Sequence, residues 1–246
     1  MDYIKFWNGK KKAITFSFDD GVTQDVRMIK MLDKYNLKAT FNINSNALGM
    51  KRTLEEQGYL IKHDKNNPED VREIYKNHEI ASHTKDHHNL TLLNTEGILD
   101  QVVPDLKKLS DLAGYEVFGF AYPCGGVNND DRTAEVLKTL TSVKYARTIE
   151  STHCFDVPKN MFRFDPTVYF VEDCLFDVVN EFLNSKSDKP QLLYIWGHTY
   201  QLDPGIAISW EKFEKLCKLI ANRDDIFYGT NREVLLGIDN KGNKIY

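Results

Sequence analysis

Hydrophobic positions along the 246 residues recur in two registers. Short runs rich in β-branched and aromatic residues predict strands at 13–18 (AITFSF), 38–44 (KATFNIN), 79–82 (EIAS), 116–123 (EVFGFAYP), 143–149 (VKYARTI) and 191–197 (QLLYIWG). Helical periodicity lies between them. Residues 23–36 gather Val26, Ile29, Met31 and Leu32 on one broad apolar face, and further helices are expected at 68–77, 95–114, about 129–141, 172–185 and 209–222. Pro68 suits a helix front, Gly114 a C-cap, and Pro104 is expected to interrupt the long helix. A polar, less regular insertion follows the second strand as far as the Asn66-Asn67-Pro68 turn signal. The stretch 225–234 (DIFYGTNREV) reads as a last strand and its exit.

Repeated β-α alternation implies parallel strands with helices packed outside them. About seven such units predict an α/β fold, a single distorted or incomplete (β/α) barrel. The chain shows no internal repeat, linker or low-complexity tract, so residues 1–246 are expected to form one domain.

Composition narrows the function classes. A formal net charge of −4, with no basic run interleaved with aromatics, provides no general attraction for nucleic acid or an anionic membrane. No apolar run is long enough to span a bilayer. The opening MDYIKFWNGKKKAITF scatters charges and lacks an apolar signal core. Cys124, Cys154, Cys174 and Cys217 show neither CxxC spacing nor the density of a secreted scaffold. Reduced thiols in a cytoplasmic protein are the expectation.

In parallel α/β folds, reactive groups collect at the C-terminal ends of strands. Here Asp19 and Asp20 end the first strand, SHTKDHH (82–88) follows the third, YPCGG (122–126) follows the fourth, and His198 ends the sixth. Adjacent carboxylates beside a core are costly unless paired or metal-bound, although an Asp-Gly turn is the plainer account of the doublet. His83 and His87, spaced i, i+4, project the same way from a helical turn or a tight loop. That spacing suits two imidazoles on one metal with a carboxylate as third ligand. A metal held this way keeps positions open, the second aspartate can take a proton from water, and His198 can protonate a leaving group. These parts describe metal-assisted hydrolysis of an amide or ester.

At these residues the chain resembles the polysaccharide deacetylase family, the NodB-homology domain of carbohydrate esterases. The resemblance rests on SFDDG (17–21) and HTKDH (83–87), with weaker matches at AYPCG (121–125) and His198, and spans about residues 12 to 230. It implies Asp19 as general base, Asp20, His83 and His87 as metal ligands, and His198 as general acid. It also implies the Cys124 backbone N–H as oxyanion donor. The cofactor implied is one divalent ion, zinc by default, with cobalt, nickel or manganese also suited. The implied substrate is an N- or O-acetylated saccharide or oligosaccharide.

One departure is marked. The arginine of the third motif, which braces the catalytic aspartate, is Ala121 here, and Arg163 in MFRFDPT is the expected replacement. His88 is expected to be a polar neighbour and not a fourth ligand. His63, His78 and His153 read as surface or structural. Trp196 suits a sugar-stacking wall or the core, and Tyr200 and Asn231, in WGHTYQLDPG and GTNREV, are expected at the rim. Two rivals stay open: a cyclic imide or ureide hydrolase on the same scaffold, and a carbohydrate-binding protein with little turnover.

Overall fold

The computed structural model describes residues 2–56, 58–203 and 208–246; the Pro204-Gly205 end of the WGHTYQLDPG segment lies outside them. Among the described residues the strands are β1 (Lys12–Asp19), β2 (Ala39–Ile43), β3 (Thr53–Glu56), β4 (Tyr59–Lys62), β5 (Glu79–Ser82), β6 (Gly119–Ala121), β7 (Tyr145–Arg147), β8 (Val168–Tyr169), β9 (Gln191–Gly197) and β10 (Ile226–Tyr228). The helices are α1 (Tyr3–Phe6), α2 (Asp25–Lys34), α3 (Val71–Ile74), α4 (Thr95–Ala113), α5 (Asp131–Leu140), α6 (Leu175–Asn184), α7 (Trp210–Ile220) and α8 (Asn231–Leu236).

All but β3 and β4 join one parallel sheet in the order β7-β6-β5-β2-β1-β9-β8, with β10 beside the start of β1. The sheet curls until one segment reaches both edges. Near its start, Phe164 N donates to Ala146 O beside β7; near its end, Thr167 N donates to Tyr194 O and β8 pairs with β9. The result is the distorted, incomplete barrel expected from the alternation.

Period-two alternation gives the sheet two unlike faces. Ile14, Phe16 and Phe18 of β1 point outward into the apolar layer shared with the helices, joined by Phe41, Ile80 and Ile195. The inward positions are largely polar and bonded to one another. Thr15 Oγ1 donates to Asn231, Asn42 Nδ2 to Ser17 Oγ, and Tyr145 Oη to Glu79. Gly119 also faces inward; a Cβ there would lie 2.2 Å from Tyr145 Oη, so the close approach requires glycine. Beneath this interior α8 acts as a floor: Arg232 donates to Glu79 and packs on Phe118, with both Asn231 and Arg232 buried.

Three expectations change. Pro104 does not break its helix, because α4 runs continuously from Thr95 to Ala113. The carbonyl it leaves unpaired belongs to Asp100, on the exposed face, while Ile98, Val102 and Leu106 stay packed inside. The insertion contains an antiparallel hairpin, β3–β4, and 225–234 divides into β10 and the start of α8. Among the described residues no helix is long and apolar enough to cross a membrane.

Candidate active site

A cleft of about 780 Å³ opens at the C-terminal ends of the strands, lined by Asp19, Asp20, His83, His87, Cys124 and His198, among others. The four strand ends singled out in the sequence therefore meet in one place.

Asp19 is the last residue of β1 and faces inward. Its Oδ1 accepts from Asn42 Nδ2 at 2.7 Å and from Arg147 Nη2. Burial pushes the Asp19 carboxyl up, but Arg147, with His83 and His198, outweighs it and holds the group below its ordinary value. Asp20 follows with a positive φ of 88°, which turns its side chain into the cleft. Its burial is likewise opposed, here by Lys65 and His63, so its carboxyl stays well below the usual range.

His83 lies just past β5 and His87 in the tight loop beyond it, where Thr84 and His87 both take positive φ. Their rings approach edge-on, with centroids 4.9 Å apart. Among the described residues, one donor atom each from Asp20, His83 and His87 lies within 4.8 Å of the others. A single point no more than about 2.8 Å from all three follows, so contraction of under about 1 Å would reach coordination distance. The tautomer suits that role: His83 Nδ1 lies 2.8 Å from the Ala121 carbonyl, to which it donates, leaving the Nε2 lone pair toward the aspartates. Burial pushes the His83 pKa down to about 4 and lowers that of His87, so both rings are neutral near pH 7. These residues fit a divalent ion of the zinc type.

The remaining groups ring this centre. Tyr169 stacks on Trp196 with centroids 4.3 Å apart, and His198 has Tyr169 Oη and Gln201 Oε1 near its Nδ1. Asn128 Nδ2 donates to the Tyr122, Pro123 and Cys124 carbonyls and so holds the turn at Cys124, whose φ is 70°.

With this geometry established, a family model described as polysaccharide deacetylase matches residues 7–143. The chain belongs to that family. The peptidoglycan-N-acetylglucosamine deacetylase of Listeria monocytogenes is 29% identical over 119 residues, 48% of this chain and 22% of its own. The chain spans about a fifth of the length of the curated relatives it matches. A putative polysaccharide deacetylase structure from Mycobacterium smegmatis has a TM-score of 0.65 at 16% identity, covering 92% of this chain and 90% of its own. A family 4 acetyl xylan esterase from Clostridium thermocellum, solved with a cobalt ion, has a TM-score of 0.54 at 16% identity, covering 91% and 90%. At these identities the two structures speak for the fold.

Against the pattern of the deacetylase family, one assignment fails. Arg163 does not reach Asp19; it is part-exposed and bound to Asn129 and Asp131. Residue 163 precedes the crossing segment and points away from the barrel. Arg147, at the end of β7 and fully buried, supplies the guanidinium instead, lying over the Trp196 ring. Period-two alternation within VKYARTI held the signal, since Tyr145 and Arg147 share the inward face.

His63 is not a surface residue. Its Nε2 lies 3.1 Å from Asp20 Oδ2, while Lys65 Nζ donates to the Asp20 carbonyl at 2.7 Å and lies 3.6 Å from Oδ1. Both come from the far end of the insertion, which is bonded to 21–23 through Asn66 N to Gly21 O and Thr23 N to Asp64 O. Asn231 is likewise buried under the barrel and not at the rim, whereas Tyr200 does line the cleft. His78 is structural, its Nδ1 accepting from Ala39 N; His88 is exposed and donates its backbone N–H to Thr84.

Proposed function

We propose that this chain is a divalent-metal-dependent deacetylase removing N- or O-acetyl groups from a saccharide or oligosaccharide, with residues 1–246 acting as one domain. The observation that carries the reading is the Asp20–His83–His87 donor set beside an arginine-braced Asp19 at the base of one cleft. Zinc is the proposed ion, since neutral imidazoles and a carboxylate suit it, with cobalt, nickel or manganese able to replace it. When bound, the ion polarises the acetyl carbonyl and acidifies water.

The protein groups do the rest. Asp19 takes the proton of the attacking water on Oδ2, because Oδ1 is engaged by Arg147 and Asn42. The Cys124 N–H donates to the carbonyl oxygen as charge develops there; the Asn128 clamp on the neighbouring carbonyls supports that assignment. His198 delivers a proton to the departing amine or alkoxide. His63 fixes Asp20 through Oδ2 and leaves Oδ1 for the ion. Tyr169, Trp196 and Tyr200 give sugar rings an apolar face. All four cysteines are free thiols, which supports a reducing, cytoplasmic setting.

The test is acetate release from a panel of acetylated mono- and oligosaccharides, with the chelated protein before and after zinc is restored. Metal-dependent release is expected. Ring opening of hydantoin-like compounds without acetate release, or saccharide binding with no turnover of any acetyl sugar, would overturn it.

A further inference from the structure

A second cluster of ligating side chains lies outside the cleft. His153, in the loop after β7, meets Glu172 and Cys174 in the segment between β8 and α6. His153 Nε2 lies 2.6 Å from Glu172 Oε2, and Cys174 Sγ lies 3.6 Å from that nitrogen and 3.5 Å from that oxygen. None of the three lines the cleft.

The arrangement discriminates between two kinds of chemistry. In a nucleophile relay, thiol and carboxylate face opposite nitrogens of the imidazole. Here both face Nε2, so nitrogen, oxygen and sulfur converge on one point. A tetrahedral centre with bonds of about 2.0–2.3 Å spaces its ligands about 3.3–3.6 Å apart. The two edges to sulfur already have that length. Only the histidine–glutamate edge must open, by under about 1 Å.

The carboxylate is also held from outside the cluster. Glu172 Oε1 accepts from Tyr169 N at 3.1 Å and from Ser151 Oγ, which turns Oε2 toward His153 and Cys174. The loop bearing His153 is fixed in turn, with Thr152 N and His153 N donating to Pro166 O and Thr167 O. Ligands oriented by other donors in this way are what metal sites use to set geometry in advance.

We propose that His153, Glu172 and Cys174 form a second divalent-metal site of the zinc class, with solvent in the fourth position. Sulfur, imidazole and carboxylate together select a borderline ion over magnesium or calcium. A bound ion would tie the loop carrying Ile149 to the segment carrying Tyr169, two residues of the cleft wall.

The probe is Co²⁺ titrated into the chelated full chain, read by bound metal per chain and by the near-ultraviolet thiolate-to-cobalt absorption. Because Cys124 Sγ lies 3.8 Å from His87 Nδ1, the titration is run in a Cys124→Ser background, with circular dichroism checking the fold. Two equivalents are expected there, one carrying the thiolate band. Adding Cys174→Ser should abolish the band and remove one equivalent, and adding His153→Ala should weaken that site by about tenfold or more. One equivalent with the band would uphold this site and count against the cleft site proposed above. Absence of the band, or its persistence after Cys174→Ser, would overturn the proposal.

Discussion

Replacing Arg147 with methionine tests the electrostatics of the site most directly. Arg147 and Asp19 are both buried, with side-chain exposures of 0% and 2%. In the variant, Asp19 Oδ1 keeps Asn42 but loses its cation. Removing one partner of a buried pair strands the other, at a cost of about 3–5 kcal/mol. The sign with pH follows from the carboxyl. In the parent, the Asp19 pKa is depressed, so its contribution to stability is present above about pH 3.9, the ordinary aspartate value, and is lost as pH falls through the folded value. In Arg147→Met, burial is opposed only by weaker partners, and the carboxyl moves up. The stability deficit is therefore largest at neutral pH and shrinks as pH falls below the raised carboxyl pKa, because protonating Asp19 then costs less than burying its unpaired charge. Urea denaturation of the metal-free proteins at pH 7 and pH 5 measures this, with Arg163→Ala as a control expected to cost about 0–1 kcal/mol. Combining Arg147→Met with Asp19→Asn should restore part of the loss, with a coupling of about 0.5–3 kcal/mol. The acid limb of acetyl hydrolysis should also move to higher pH. A deficit below about 1 kcal/mol at pH 7, or one as large at pH 5, would refute the reasoning.

Three other outcomes are expected. His63→Ala should weaken metal binding by about 10–100-fold in a competition titration, whereas Lys65→Met should tighten it by removing a buried charge beside Asp20; opposite signs would mean that these two residues of the insertion do not act through that carboxylate. Asp19→Asn should keep its metal and lose about two orders of magnitude or more in kcat, and loss of metal instead would exchange the roles assigned to the two aspartates. Gly119→Ala should lower stability by about 1–3 kcal/mol in urea, because its methyl group meets Tyr145 Oη; a neutral result would show that the barrel interior yields.

Much of this was legible along the chain because the barrel obeys alternation. The greasy outward face of β1 and the stop at Asp19-Asp20 are local signals, as is the His83–His87 spacing. The brace on Asp19 was misplaced because it is a property of closure. Arg147 lies 128 positions from Asp19, and only the curl of the sheet brings β7 across from β1. His63 and Lys65 were hidden for another reason. Their burial depends on the insertion lying against residues 20–23, and an irregular polar stretch carries no periodicity that would announce it. Pro104 is tolerated inside α4 because the bond it removes falls on the exposed Asp100 carbonyl, and which face of a helix carries a proline is set by packing that propensity does not contain.

The floor formed by α8 has a consequence for traffic through the barrel. Asn231 and Arg232 close the lower end with bonds to Thr15 and Glu79, and Trp7 seals beside them by donating to Val234 O. Among the described residues, access to the site is therefore by way of the cleft at the C-terminal ends of the strands and not through the floor. Under the deacetylation proposed above, saccharide, water and acetate would all be exchanged through that cleft, so acetate held there would stand in the way of the next substrate.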